Sequence, residues 1–432
     1  MNPTPTRTIQ AIPTVPTIQA AAAQSAVRTT AHSRFDAAPV RALLQRQYAL
    51  SGRPADSVPE IDSYEDFARL VPVTDNAAYA ALAEATFAQN GAVGFYVGGS
   101  SGTTAKPKLV LSATPRLGIA PTDAQRELIG NLRQNGVFQP GDVVANGFMV
   151  GLFSILHHGV NRVLEACGAS VVPLGTLDER CVESQLNFLA QVGANVLVGT
   201  PGTLVQVAHA VRRTGIAVPI ERIAFTGERL GSTKLALLRS VFPGVRVISL
   251  YGISEVGFVA IGDEGSGSHK VRENAYLLET DTEGRLLLTC LDPSNPIPVV
   301  RYMPGDRVTL ETTADAAWIR HIERSNLDFN FMGNLVELRS LRAAVAQSTG
   351  VADPLIDVVL RTGDDGRDEL TLRVYGVADA DLAQARQLVG SLPELREAAE
   401  KNAGRVAVCG ALLEEVVLSD RQKQRQILDY RN

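Results

Sequence analysis

The chain has 432 residues, of which 45% are hydrophobic and 20% are charged, and its formal net charge is −5. This composition is typical of a globular protein, and the length predicts roughly two to three domains. The acidic balance excludes a general nucleic-acid binder, which normally carries a surplus of basic residues. No apolar run approaches the roughly 20 residues of a membrane-spanning helix. The sequence therefore predicts that neither nucleic acid nor membrane is a partner.

The first 35 residues are rich in Thr, Pro, Ala and Gln, with no acidic residue before Asp36. They lack the apolar core of a secretory signal, so we expect a disordered tail over 1–35, with an organellar transit peptide as the alternative. The four cysteines are scattered and form no C-x-x-C pair, which argues against a structural zinc site or a disulfide framework. This usage predicts a reducing, cytoplasmic location.

Helical patterns begin directly after the tail, at Ala37–Tyr48 and again from Ser63. From residue 143 onwards strand-like and helical runs alternate. Alternation of this kind predicts a parallel-rich sheet covered by helices, with ligands at the carboxyl ends of the strands. The predicted elements are, in chain order, strands Val143–Asn146 and Ala169–Pro173, helix Leu177–Val192, strand Asn195–Val198, helix Leu204–Val211, and strands Ile223–Phe225 and Val245–Leu250.

Strand patterns without intervening helices follow at Leu286–Leu291 and Val308–Glu311, which predicts a smaller β subdomain. The end of the chain has the pattern of a separate α+β region. Its predicted elements are helices Leu335–Ser348 and Asp381–Leu388 and a hairpin of strands Leu355–Arg361 and Glu369–Tyr375. The predicted fold class is α/β: a large N-terminal domain of parallel-rich sheets covered by helices plus a β subdomain, and a small α+β C-terminal domain.

The most informative segment is the loop from Tyr96 to Lys108, which is rich in glycine and hydroxyl residues. Backbone N–H groups and hydroxyls can bind polyphosphate oxygens, and a following ammonium offsets their charge. The predicted phosphate-binding residues are Ser100, Ser101, Gly102, Thr103, Thr104 and Lys106. The Walker A spacing is absent. A flexible surface loop is one alternative. A serine hydrolase elbow at Ser100 is another, although the following residues favour a loop that leads into a strand rather than the helix an elbow requires.

Further motifs follow the predicted strands of the sheet. Tyr251 to Glu255 could supply a ring that stacks on a base, clearance at Gly252, a hydroxyl for the α-phosphate at Ser254 and a carboxylate for Mg²⁺ at Glu255. The alternative is a turn with a solvated glutamate. Gly227 and Glu228 follow another strand, Asp306 ends a Pro-Gly-Asp turn, and Lys423 lies close to the end of the chain.

These motifs, in this order, resemble those of the adenylate-forming superfamily, in particular its phenylacetate–CoA ligase branch. The loop resembles S-S-G-T-T-G-x-P-K, with Ala105 in place of the last glycine. Tyr251–Glu255 resembles Y-G-x-T-E with Ser254 for threonine, and Arg301–Asp306 resembles R-Y-R-T-G-D. The end of the chain resembles G-K-x-x-R-x-x-D-x-R, with Gln422 in place of the glycine.

The resemblance implies roles for individual residues. Gly227 and Glu228 face the adenine through their backbone, Asp306 binds the ribose hydroxyls, and Arg324 contacts ribose or phosphate. Lys423 is the catalytic lysine, which bridges the acid and the reacting phosphate, and Glu255 assists catalysis as the Mg²⁺ ligand. The implied domains are 36–323, the adenylate-forming domain, and 324–432, a small mobile lid.

The resemblance also implies the reaction, which is ATP-dependent activation of an aromatic carboxylic acid as an acyl-adenylate, in a homodimer. Phe148 and Phe153 are candidate walls of the acid pocket, or alternatively ordinary core residues. CoA thioester formation is one possible second step. Asn326 and Met332 replace hinge residues that serve this step, so transfer to a reductase or an amine is an alternative. A non-catalytic nucleotide-binding homologue is a third possibility.

Overall fold

The computed structural model describes residues 28–29, 35–89, 94–99, 108–113, 121–151, 153–263, 267–313, 315–324, 327–331, 334–363, 368–400, 404–419 and 422–431. The chain forms two compact units. Unit 1 comprises Met1–Leu128, Ile253–Ala260 and Lys270–Glu323, and unit 2 comprises Ile129–Gly252, Ile261–His269 and Arg324–Asn432. The predicted division into 36–323 and 324–432 differs from these two units and stays a prediction.

The helices of the described residues are, in chain order, α1 (Ala37–Leu50), α2 (Tyr64–Leu70), α3 (Asn76–Gln89), α4 (Asp123–Gln134), α5 (Leu156–Ala166), α6 (Val182–Gln191), α7 (Pro201–Thr214), α8 (Ser232–Val241), α9 (Leu338–Thr349), α10 (Ala383–Ser391) and α11 (Pro393–Glu400). The strands are β1 (Arg28–Thr29), β2 (Phe95–Gly99), β3 (Leu109–Ala113), β4 (Val143–Asn146), β5 (Ser170–Val172), β6 (Val196–Gly199), β7 (Arg222–Phe225), β8 (Arg246–Ile253), β9 (Gly257–Asp263), β10 (Ser268–Val271), β11 (Tyr276–Thr280), β12 (Leu286–Cys290), β13 (Asp306–Thr312), β14 (Ala317–Arg324), β15 (Asp328–Phe331), β16 (Asn334–Glu337), β17 (Ile356–Thr362), β18 (Asp368–Tyr375), β19 (Gly404–Ala411) and β20 (Ile427–Asp429).

Unit 2 contains the predicted parallel sheet, in the strand order β5-β4-β6-β7-β8. All four residues of β6 are buried, as expected for a central parallel strand that is covered on both faces. Its core consists of apolar residues of β6, β7, α6, α7 and α8, among them Leu197, Leu204 and Leu238. The α/β fold class is confirmed, and the carboxyl ends of β6 and β7 present Gly199 and Phe225 at one edge of the sheet.

Two helices, α6 and α7, were predicted between strands of this sheet, and both begin at residues other than the predicted ones. Helix α7 begins at Pro201 rather than Leu204, because proline is well tolerated at the first helical position and Thr200 caps it. Helix α6 begins at Val182, five residues later than the predicted start at Leu177.

The end of the chain, also in unit 2, forms a four-stranded sheet in the order β19-β18-β17-β20. The predicted hairpin is confirmed by the antiparallel register of β17 and β18, in which Ile356 faces Val374. Two helix starts predicted here were wrong. Residues 335–337 belong to β16, and α10 begins at Ala383 after a short 3₁₀ turn at Asp379–Leu382.

In unit 1, α1 and α2 pack on apolar residues of the β subdomain, such as Leu277 and Val300. Strands β11 and β12 pair antiparallel, and β12 and β13 confirm the two predicted strands of this subdomain. Strand β1, which the sequence places in a disordered tail, pairs with β11. Strands β2 and β3 form a hairpin in which Gly99 faces Leu109. None of the helices in the described part of the chain combines the length and the hydropathy of a membrane-spanning segment.

Candidate active site

Glu255 lies in unit 1 with a buried carboxylate, only 6% exposed. Its Oε1 atom accepts a hydrogen bond from Tyr302 Oη at 2.7 Å and forms an ion pair with the ammonium of Lys108. Lys108 Nζ also donates to Asn76 Oδ1 at 2.7 Å and to Tyr302 Oη at 2.6 Å. An ammonium has three N–H donors, so Lys108 can serve all three side chains at once. The buried charge of Glu255 is therefore compensated.

Two tyrosine rings flank this ammonium. Lys108 Nζ lies 5.5 Å from the ring centroid of Tyr79 and 5.3 Å from that of Tyr302, within the range of a cation–π interaction. The two ring centroids are 5.1 Å apart. Burial, and after it the negative charge of Glu255, raises the pKa of Tyr79 well above its usual value. Tyr79 therefore stays neutral beside the ion pair.

Lys108 is a residue that the sequence analysis missed. It occupies the last position of the S-S-G-T-T-G-x-P-K motif, so the signal was present, but the lysine role was assigned to Lys106 two residues earlier. Lys106 and the other predicted phosphate-binding residues lie outside the described residues; these others are Ser100, Ser101, Gly102, Thr103 and Thr104.

Asp306 also lies in unit 1, where it is the first residue of β13 and is buried. Gly305 before it has a φ of 89°, a conformation that glycine adopts without strain. Arg301 in the same motif is buried and donates from Nε to Glu279 at 3.1 Å. Arg301 therefore anchors the motif in the core, and the turn at Gly305 leads directly into Asp306 at the start of β13.

Lys423 lies against Gly227 in unit 2. A Cβ atom at Gly227 would be 3.2 Å from Cε and 3.3 Å from Nζ of Lys423. Gly227 follows β7 and has a φ of 94°. Glycine is therefore favoured here twice, by the backbone conformation and by the approach of the lysine. The fold therefore brings together Gly227 and Lys423, two predicted site residues that are 196 positions apart in the sequence.

The backbone on either side of Lys423 is held by side chains from the edge of the parallel sheet. The Gln422 carbonyl accepts from Thr200 Oγ1 at 2.8 Å, and the Gln424 N–H donates to Glu228 Oε2 at 2.6 Å. The Lys423 N–H donates to Ser419 Oγ at 3.2 Å. Gln422 has a φ of 58°, the left-handed region that favours glycine, at the position where the resembling motif has glycine. The Oε1 atom of the Gln422 side chain accepts a 2.9 Å hydrogen bond from Gln206 Nε2.

The remaining predicted site residues differ in exposure. Tyr251 is 8% exposed, and its ring lies edge-on to His269 with centroids 6.5 Å apart. Phe148 is buried at 1% exposure, whereas Phe153 is 72% exposed and has a φ of 59°. Their roles stay predictions, as do those of three further residues: Gly252 is half-buried, Ser254 is exposed, and Arg324 ends β14.

Comparison with known proteins gives a related sequence and several related folds. No family model matches the chain. The chain is 30% identical over 376 residues to an indoleacetate–lysine synthetase of Pseudomonas savastanoi, and the match covers 86% of this chain and 93% of that protein.

Among solved structures, 2-hydroxyisobutyryl-CoA ligase in the postadenylation state with 2-HIB-AMP is similar in fold, with a TM-score of 0.60. The match covers 90% of this chain and 85% of the ligase, at 19% identity. The same ligase with 2-HIB-AMP and CoA gives a TM-score of 0.52 at 18% identity, over 90% of this chain and 86% of the ligase. The chain therefore belongs to the adenylate-forming superfamily and is an ATP-dependent enzyme that activates a carboxylic acid as an acyl-adenylate.

Proposed function

We propose that the enzyme activates an aromatic acid of the arylacetic type and transfers the acyl group to an amine. The relative from Pseudomonas savastanoi supports this choice, since that protein is an indoleacetate–lysine synthetase and indoleacetate is an arylacetate. The hinge substitutions at Asn326 and Met332, which lie outside the described residues, support an acceptor other than CoA. The observation that carries the adenylation mechanism is the approach of Lys423 to Gly227.

In this proposal the nucleotide is held by residues of several motifs. The loop of 100–106 binds the β- and γ-phosphates, Tyr251 stacks on the adenine, and Asp306 binds the ribose. The turn of Gly227 and Glu228 faces the adenine through its backbone, while the Glu228 carboxylate is occupied by the N–H groups of Gly202 and Gln424.

Glu255 is the proposed protein ligand of Mg²⁺. No group of three or more His, Cys, Asp or Glu side chains within the described ranges could hold a metal ion by itself. Mg²⁺ commonly takes one or two carboxylates and completes its shell with substrate phosphates and water. One buried carboxylate therefore fits a nucleotide-bound ion, which would share Glu255 with Lys108 and neutralise phosphate charge.

The first step forms a bond between the carboxylate oxygen and the α-phosphorus and breaks the bond to pyrophosphate. Negative charge accumulates on the α-phosphate, and the ammonium of Lys423 offsets it. In the second step the amine nitrogen attacks the acyl carbon, AMP leaves, and the amine loses a proton to solvent. At about 4 Å and an effective dielectric near 20, one ammonium contributes about 4 kcal/mol, or nearly three decades in rate.

The variant Lys423→Ala tests this role. We expect ATP–pyrophosphate exchange in the presence of the acid to fall about 10²–10³-fold, with ATP binding nearly unchanged, because the ammonium acts on charge that develops in the transition state. The control is Lys270→Ala, which removes an exposed lysine of β10. Exchange in Lys423→Ala equal to that in the control would contradict the assignment.

The substrate proposal is tested with indoleacetate, phenylacetate, benzoate and an aliphatic acid, each assayed for exchange and then for product with lysine or with CoA. We expect arylacetates to support exchange and an amide to form with the amine. Thioester with CoA and no amide would replace the amine by CoA as acceptor. Exchange only with the aliphatic acid would refute the aromatic preference.

Two further features belong to this proposal. All four cysteines are free, two of them buried, which supports a reducing, cytoplasmic location. The homodimer implied by the resemblance is tested by the molar mass in solution.

A further inference from the structure

The carboxylate of Glu228 connects three segments of unit 2. Its Oε1 accepts the N–H of Gly202 in the first turn of α7 at 2.9 Å, and its Oε2 accepts the N–H of Gln424 at 2.6 Å. Its side chain is only 12% exposed. Gln424 directly follows Lys423 in the chain, so Glu228 holds the residue next to the proposed catalytic lysine.

A buried cation completes this cluster. Lys234 in α8 is 1% exposed, and its Nζ lies 3.7 Å from Glu228 Oε1 and 3.5 Å from Gln424 Oε1. The Gln424 side chain in turn donates from Nε2 to the Ile356 carbonyl at 3.0 Å. The charge of the carboxylate is therefore balanced, and each of its oxygens has a defined partner.

We propose that Glu228 is a positioning residue that holds Lys423 against Gly227 for the adenylation step, by fixing the backbone of Gln424. The resemblance assigned this motif only a backbone role toward adenine. The side-chain role follows from the contacts of Glu228 itself. It rests on the proposed function of Lys423, because holding Lys423 in place matters only if its ammonium assists the reaction.

A carboxylate is suited to this task because both of its oxygens are acceptors. An amide has one acceptor and one NH₂ group, so Glu228→Gln can keep only one of the two backbone N–H partners and directs a donor at the other. It also removes the charge that balances Lys234. Glu228→Asp keeps the charge but is one methylene shorter, so it cannot reach both N–H groups in the same way.

The experiment measures ATP–pyrophosphate exchange for Glu228→Gln, Lys423→Ala and the double variant. If Glu228 acts through Lys423, Glu228→Gln lowers kcat about 10-fold or more, leaves the KM for ATP within about twofold, and has no further effect once Lys423 is alanine. Glu228→Asp is measured in parallel and is expected to act in the same direction, which keeps the experiment informative if the Gln variant does not fold.

The matched control is Glu414→Gln. Glu414 also connects the end of the chain to α7, through a 3.3 Å contact with Arg212, but it is exposed and does not neighbour Lys423. We expect exchange in this variant to equal that of the parent. A comparable loss in Glu414→Gln would show that any weakening of this packing slows the reaction, and would overturn the specific role of Glu228.

Two other results would also overturn the inference. The first is no change in exchange for the Glu228 variants. The second is the same fold reduction by Glu228→Gln in the parent and in the Lys423→Ala background, which would mean that Glu228 acts independently of Lys423. Failure of the proposed function is distinguishable, because in that case Lys423→Ala alone leaves exchange unchanged.

Discussion

Lys108 balances the charge of the buried Glu255 carboxylate, so we expect its removal to destabilise the folded protein. Its ammonium donates to Asn76 and Tyr302 and pairs with Glu255, whose side chain is 6% exposed. Removing one partner of such a pair leaves the other charge buried and unpaired, which costs more than removing both. The same lysine is the last residue of the segment that resembles S-S-G-T-T-G-x-P-K.

We expect Lys108→Met to lower the free energy of unfolding by about 2–4 kcal/mol, because Glu255 loses its counterion. The double variant Lys108→Met/Glu255→Gln should recover part of this loss, since no charge then remains buried. Urea unfolding of the parent, both single variants and the double variant measures the coupling. A double variant that is less stable than Lys108→Met would contradict the compensation of charge.

Helix α7 is the element that connects the parallel sheet to the end of the chain. Thr200 caps it, accepting from the Thr203 N–H at 3.3 Å while donating to the Gln422 carbonyl. Gly202 lies so close to Gln422 that an added Cβ would clash with the Gln422 carbonyl oxygen. The first turn of α7 therefore both begins a helix and forms the surface on which the segment of Lys423 lies.

Gly202→Ala should displace this segment, because the clash is with backbone and cannot be relieved by a side-chain rotation. We expect pyrophosphate exchange to fall about 10-fold or more. The control is Gly159→Ala in α5, where an added Cβ meets nothing within 4 Å. That control should keep full activity and gain about 0.5–1 kcal/mol of stability. Full activity in Gly202→Ala would refute the role of this surface.

At the scale of the whole molecule, buried thiols should make the free energy of unfolding decrease as the pH becomes alkaline. Cys290 is 1% exposed, and burial raises its pKa from the usual 9.0 to about 11 despite a hydrogen bond from Asn295. In the unfolded chain this thiol loses its proton near pH 9, whereas in the folded protein it keeps it up to about pH 11. Its contribution to stability is fully present below pH 9 and is lost as the pH rises toward 11.

We therefore expect the free energy of unfolding to decrease between pH 9 and pH 11, by about 3 kcal/mol for this thiol. Urea unfolding at pH 8, 9, 10 and 10.5 measures the slope. The control variant Cys290→Ala should have a shallower slope, because it has no proton to release. Equal slopes in both proteins would mean that this thiol titrates alike in the folded and unfolded states.

Much of the fold could be predicted from short stretches of sequence. The buried run of β6, the hairpin of β17 and β18 and the alternation of strands and helices depend on neighbouring residues, whose periodicity is visible in the chain. The predictions failed at boundaries where a neighbour in space changes the local preference, or where a residue typical of turns also begins a helix. Pro201 reads as a turn in isolation but begins α7, and residues 335–337 read as helix but pair with β15.

The superfamily and its reaction could be predicted from local motifs, because each motif is a short run of neighbouring residues whose pattern is visible in the chain. The contacts around the candidate site residues could be seen only in the folded chain. Lys108 pairs with Glu255 across 147 positions, Glu228 with Gln424 across 196, and Thr200 with Gln422 across 222. No local pattern encodes such pairs, since loop closure brings them together only when the sheet that carries them has formed.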